Sequence, residues 1–257
     1  MNKRVLLVLG VLAIFVASTA LSGCIGGNKT TPTTPGATAT PGTTTPGTNT
    51  PSGALVPAVV SGNTITISGV KAESSDNQNS TSFDLEEGAY IVSYENKGSF
   101  GNILTATLET DDGSGMYIVS LWDTKGSDAM VVGGMMTPAG KYHLNVGNGG
   151  TYTVTITKPT SGDAAPVTLK GSKGESVAKA VNLNPGEVKI SVKHDVGPTG
   201  TTSMSLYDLQ GNTVASKWVS GSSSITDEDI GEITTAGTYI FSVSFSANTG
   251  GEATVSQ

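Results

Sequence analysis

Short runs in which β-branched or aromatic residues alternate with polar ones recur along most of this chain, and they limit its fold more than any other feature. They include Thr64-Ile65-Thr66-Ile67, Tyr90-Ile91-Val92-Ser93-Tyr94 and Tyr142-His143-Leu144-Asn145-Val146. Tyr152-Thr153-Val154-Thr155-Ile156, Val188-Lys189-Ile190-Ser191-Val192 and Tyr239-Ile240-Phe241-Ser242-Val243 continue the series. A period of two sends successive side chains to opposite faces of a strand. Gly, Asn and Asp divide the runs, as turn residues do. No window carries an apolar stripe at helical spacing for three turns, so the chain reads as all-β.

The pattern begins near Ala54. Asn28 to Gly53 consists almost entirely of Thr, Pro, Gly, Ala and Asn, as in Thr33-Thr34-Pro35-Gly36 and Thr44-Thr45-Pro46-Gly47. Without large apolar side chains such a stretch cannot offset the entropy of ordering, so it is expected to be a disordered linker. Its prolines bias it toward extended polyproline II. Thr/Pro-rich stalks are also a composition of O-glycosylated segments. Asn28-Lys29-Thr30 and Asn79-Ser80-Thr81 have the form of N-linked acceptors, which makes Asn28 and Asn79 candidate glycosylation sites.

Roughly 200 residues follow Gly53, room for two domains of ordinary size. The two halves repeat each other's turns. Phe83-Asp84-Leu85-Glu86-Glu87-Gly88 is answered by Val181-Asn182-Leu183-Asn184-Pro185-Gly186, and Thr137-Pro138-Ala139-Gly140-Lys141-Tyr142 by Thr234-Thr235-Ala236-Gly237-Thr238-Tyr239. Between them, Ser120-Leu121-Trp122-Asp123-Thr124-Lys125-Gly126 matches Ser205-Leu206-Tyr207-Asp208-Leu209-Gln210-Gly211, which predicts Trp122 and Tyr207 at equivalent positions. Asp123 and Asp208 would each close a turn ending at Gly126 or Gly211. Such a unit is far longer than the repeats of a solenoid. The expected organisation is a linker over 24–57, a first β-sandwich over 58–160 and a second over 161–257. The order of blocks, with a late Gly-x-Tyr strand before a Gly-rich turn and a final strand, resembles the jelly-roll-like β-sandwich modules of surface proteins, including pre-peptidase C-terminal domains. That resemblance implies two tandem antiparallel β-sandwich (jelly-roll-like) domains with an accessory role, binding or spacing and not catalysing.

Cys24 is the only cysteine in the chain, so no intrachain disulfide can form. It follows Lys3 and Arg4, an apolar run from Val5 to Ala20, and Leu21-Ser22-Gly23. The run has the length of a secretory signal and is marginal for a spanning helix. Leu21-Ser22-Gly23-Cys24 resembles the lipobox of bacterial and archaeal lipoproteins. The resemblance implies a signal peptide over 1–23, lipidation of Cys24, and a protein held on the outer face of the cell membrane by its lipid. Cys24-Ile25-Gly26-Gly27 followed by a Thr/Pro stalk resembles the archaeal members more than the bacterial ones. An uncleaved N-terminal helix with a buried cysteine is the alternative; both readings put the remainder outside the cytoplasm.

Reactive constellations are sparse. His143 and His194 fall in different halves, which leaves little for a zinc site, and no Gly-x-Ser-x-Gly elbow stands in a strand-to-helix context. No catalytic residue, metal ligand or cofactor is expected. The acidic clusters Glu109-Thr110-Asp111-Asp112-Gly113 and Thr226-Asp227-Glu228-Asp229, and Asp123 with Asp128, lack the spacing of a calcium loop and read as turn chemistry and surface charge. The net charge of −7 argues against a nucleic-acid partner. Trp122 and Trp218 are candidate ligand contacts, set against the reading that both are packing residues. The sequence therefore reads as a non-enzymatic surface lipoprotein with a structural, adhesive or presentation role, its partner a surface glycan or protein. The alternatives are a carbohydrate- or Ca²⁺-binding module and, last, a secreted hydrolase.

Overall fold

The computed structural model describes residues 54–71, 77–97, 104–121, 125–148, 150–194, 200–220, 224–246 and 249–257. Leu21, Ser22, Gly23, Cys24, Asn28 and Trp122 lie outside them. Every regular element described is a strand, and the strands form four sheets. The six alternating runs read from the sequence all lie within strands.

The first sheet has the order β1 (Ala58–Ser61), β2 (Thr64–Val70), β10 (Thr151–Thr157), β5 (Gly88–Lys97), β8 (Lys125–Val132). The second runs β3 (Gln78–Asn79), β9 (Gly140–Asn148), β6 (Leu104–Thr110), β7 (Met116–Leu121), with β4 (Phe83–Leu85) also paired to β9. The third is β11 (Asp163–Ala164), β13 (Ser176–Leu183), β18 (Gly237–Phe245), β15 (Thr201–Asp208), β16 (Thr213–Ser220). The fourth is β12 (Val167–Gly171), β19 (Gly251–Ser256), β14 (Gly186–His194), β17 (Ile225–Ile233). All pairs of long strands are antiparallel; the two-residue β11 runs parallel to β13.

Set aside the edge strands β1 and β11, and count β3 with β4 as one interrupted strand. In both halves the first strand then pairs with the eighth, the eighth with the third and the third with the sixth. In the facing sheet the second pairs with the seventh, the seventh with the fourth and the fourth with the fifth. This is the eight-stranded jelly roll, present twice.

Each sandwich has its own core. Ile65, Ile67, Tyr90, Val92, Tyr152, Val154 and Ile156 from one sheet meet Phe83, Leu85, Leu104, Leu108, Tyr142, Leu144 and Val146 from the other. The second core joins Leu169, Val188, Ile190, Val192 and Val255 to Val181, Leu183, Leu206, Phe241, Val243 and Phe245. Each such side chain taken out of water contributes roughly 1.5–3 kcal/mol. With no disulfide available, these cores are the main source of stability.

Two of the three repeated blocks occupy equivalent places. Gly88 and Gly186 open the third strand of their sandwiches with φ of 134° and 143°, a region that favours glycine. Leu85 and Leu183, just before them, are buried and pair with Gly140 and Gly237. Tyr142 Oη donates to Pro138 O at 2.6 Å, and Tyr239 Oη donates to Thr235 O at 2.6 Å. The third block is a correction. The strand equivalent to β15 is β6, not β7, and its register fixes the alignment. Leu206, Tyr207 and Asp208 lie opposite Phe241, Ile240 and Tyr239, while Leu108, Glu109 and Thr110 lie opposite Leu144, His143 and Tyr142. Tyr207 thus corresponds to Glu109, not to Trp122. Gly126 sits within β8, paired with Tyr94, and Asp123 lies outside the described residues.

Candidate functional site

The two sandwiches meet through their outer faces. Ala89, Ile91 and Ala129, from β5 and β8, pack against Ala178, Tyr207, Leu209 and Ile240, from β13, β15, the turn after it, and β18. Small side chains let the backbones come close enough to bond directly. Ala89 N donates to Leu209 O at 3.1 Å. Ser127 Oγ accepts from Ala178 N at 2.9 Å and donates to Ala178 O at 3.3 Å. Gly88 is part of this seam: a Cβ there would lie 2.7 Å from Leu209 O. The layers stack as second sheet, first sheet, third sheet, fourth sheet.

A carboxylate lies in the seam. Asp128 Oδ1 accepts from Ser242 Oγ at 2.8 Å and from Ala129 N at 2.7 Å. Tyr117 adds a further hydrogen bond. Burial holds the Asp128 carboxyl above the ordinary Asp range, against the pull of those donors. Burial likewise raises the Tyr117 and Tyr94 phenols, with the Asp128 charge adding to it.

Over β8, β5 and β10 the faces part into a cleft of about 520 Å³. Ser93, Thr153 and Thr155 line it from the first sheet, Lys170, Glu175 and Val177 from the second sandwich, and Glu95, Lys125 and Ser127 complete it. Most of its lining residues are polar, with charges of both signs. Sequence reasoning missed both seam and cleft. The signal was present as runs apolar on both faces, Ala89-Tyr90-Ile91-Val92 and Tyr239-Ile240-Phe241, which a strand buried on both sides requires.

Of the acidic clusters, the first is taken up by its own turn, whereas Thr226 to Asp229 lie within β17 and Asp128 lies on β8 in the seam, so the reading of these as turn chemistry is corrected. Asp112 Oδ1 accepts from Ser114 N at 2.9 Å and Ser114 Oγ at 2.6 Å, which lowers its carboxyl to about 2. Ser82 Oγ donates to Asp111 Oδ1 at 3.0 Å, and His143 Nδ1 lies 3.1 Å from the same oxygen. Asp208 Oδ1 accepts from Asn212 N at 2.8 Å. Lys217 pairs with Glu228 across the edge between β16 and β17. His194 Nε2 is 2.8 Å from Thr202 Oγ1, in the other half from His143. Among the described residues no three His, Cys, Asp or Glu side chains converge to hold a metal ion.

Of the named candidates, two are within the described residues. Asn79 is exposed on the short strand β3, open to modification. Trp218 is 75% exposed on the edge strand β16, so it is not a packing residue.

No family model and no curated protein sequence matches the chain. Among solved structures, the chain is similar to a triple jelly-roll protein of an archaeal virus turret at 18% identity, over 76% of this chain and 58% of that one, with a TM-score of 0.22. It is also similar to the tandem CBM22-1–CBM22-2 domains of Paenibacillus barcinonensis Xyn10C, at 10% identity over 75% and 86% of the two chains, TM-score 0.22. A third likeness is to the VP2 subviral particle of infectious bursal disease virus, at 10% identity over 78% and 65%, TM-score 0.20. The chain spans less than two thirds of the length of the first and third of these. At such TM-scores the likenesses decide nothing about what this chain does.

Proposed function

We propose that the chain is a non-catalytic surface lipoprotein whose two jelly rolls form a single stiff block for display or load-bearing, carried on a Thr/Pro stalk and anchored through a lipid on Cys24. One observation supports this reading above the others: a backbone hydrogen bond, the paired bonds between Ser127 and Ala178, and small apolar side chains join the sandwiches directly. Domains that must move relative to one another meet through looser, wetter surfaces. The commitment of the acidic turns to internal hydrogen bonds fits a body whose polar groups serve its own structure. The lipobox-like Leu21-Ser22-Gly23-Cys24 supplies the anchor in this reading, and the stretch after it resembles that of archaeal surface lipoproteins.

Fractionation of the producing cell tests the anchor. Wild-type protein is expected in the membrane fraction and Cys24→Ser protein in the medium. A Cys24→Ser chain that stays with the membrane contradicts lipid anchoring.

A further inference from the structure

The outward face of the third sheet carries an ordered array of hydroxyls, of which the seam takes Ser242. Residues directly opposite each other in an antiparallel ladder share a face. The register therefore places Ser176, Ser244, Ser203 and Trp218 in one straight row across β13, β18, β15 and β16. Ser220 and Thr201 lie opposite each other one row beyond, and Ser216, Ser205 and Ser242 form the row on the seam side. No residue of these rows is charged. Ser242 is spent on Asp128, and Ala178 of its row lies in the seam. The row ending in Trp218 is left outside: Ser176, Ser203 and Ser244 are half-buried, and Ser176 Oγ donates to Ser244 Oγ at 3.0 Å.

Trp218 is held and not merely exposed. Its neighbours Lys217 and Val219 turn to the other face, where Lys217 pairs with Glu228 of β17 and Val219 is buried in the second core. β16 is thereby fixed on both sides of Trp218, and the indole stands at the end of the hydroxyl row at little further entropic cost. A large planar ring 75% exposed beside neutral hydroxyls suits a ligand with an apolar face and a polar rim. It does not suit a protein hot spot, which sits within a broader apolar patch that water cannot enter. It suits nucleic acid no better, since the rows carry no cation.

We propose that the Ser176–Ser244–Ser203–Trp218 row is a binding site for an extended, neutral glycan, a sugar ring stacking on Trp218 while ring hydroxyls exchange hydrogen bonds with Ser203 and Ser244. Adjacent strands are ~4.8 Å apart, comparable to the length of one sugar ring, so successive residues of an extended glycan would meet successive strands. The glycan is one external to this polypeptide: Asn79, the candidate N-linked site among the described residues, lies on the second sheet, at the far side of the first sandwich.

The site is tested on the Cys24→Ser chain produced without glycosylation, by titration calorimetry with cellohexaose and mannohexaose as extended probes and maltohexaose as a curved one. The expected result is binding of at least one extended probe at millimolar concentration. Trp218→Ala should weaken it about tenfold or more, Trp218→Tyr should retain most of it, and Ser203→Ala should weaken it a few-fold. Because Trp218 is mostly in solvent, the thermal midpoint of Trp218→Ala should match the parent, so a loss of binding is not a loss of fold. Failure of both extended probes, preference for the curved one, or equal binding by Trp218→Ala overturns the proposal. Sedimentation decides one competing occupant: a dimer that Trp218→Ala dissociates would make this face a self-association surface and overturn the glycan assignment.

Discussion

Asp128 is the residue at which packing and charge conflict. It sits in the seam with Ser242, Ala129 N and Tyr117 as donors, and burial still holds its carboxyl above the value of an unfolded Asp. A raised folded value means that the folded state binds the proton more tightly than the unfolded one. The resulting stability is fully present below the unfolded value and is lost as pH rises through the folded one. Asp128→Asn removes that dependence and leaves an oxygen for Ser242. Chemical denaturation should show the variant gaining on wild type as pH rises from acid through the folded value of Asp128. An advantage that shrinks with rising pH would reverse the assignment. The two tyrosine bonds offer a second test. Tyr142→Phe and Tyr239→Phe each delete a 2.6 Å bond to a turn carbonyl, and each should cost about 0.5–1.5 kcal/mol, by similar amounts in the two sandwiches.

Strands and turns were legible because the period of two is written directly in the residues. Equivalence between elements was harder to read. Leu-aromatic-Asp-x-x-Gly recurs at Leu121 and Leu206 because turns draw on few residue types, yet the strand equivalent to β15 leads into Thr110-Asp111-Asp112-Gly113. There Gly113 N donates to Thr110 O at 2.9 Å just as Gly211 N donates to Asp208 O at 3.1 Å, with different side chains closing the turn. Hydrogen-bond geometry was kept where residue identity was not. The pair Gly88 and Gly186 separates local backbone strain from the seam. Both have positive φ, so alanine at either position should cost about 1–3 kcal/mol. At Gly186 the new Cβ meets nothing within 4 Å, whereas at Gly88 it lies 2.7 Å from Leu209 O. Gly88→Ala should therefore be the more destabilising in equilibrium unfolding; equal costs would mean that Leu209 yields freely.

For the molecule as a whole, the seam converts two jelly rolls into one body. Ile91 and Ile240 stand in runs that are apolar on both faces, and the small side chains of Ala89, Ala129 and Ala178 leave room there for another backbone. Trp218 shows the converse: the sequence left it between packing and contact, and only the position of β16 at a sheet edge exposes it. The central claim is that the sandwiches act as one block, and differential scanning calorimetry of the Cys24→Ser chain tests it most directly. A single transition with calorimetric and van't Hoff enthalpies in a ratio of about one is predicted. Ala178→Arg, which forces a long charged side chain into the seam, should split that transition in two. Two resolved transitions in the parent chain, or a ratio near two, would contradict the account.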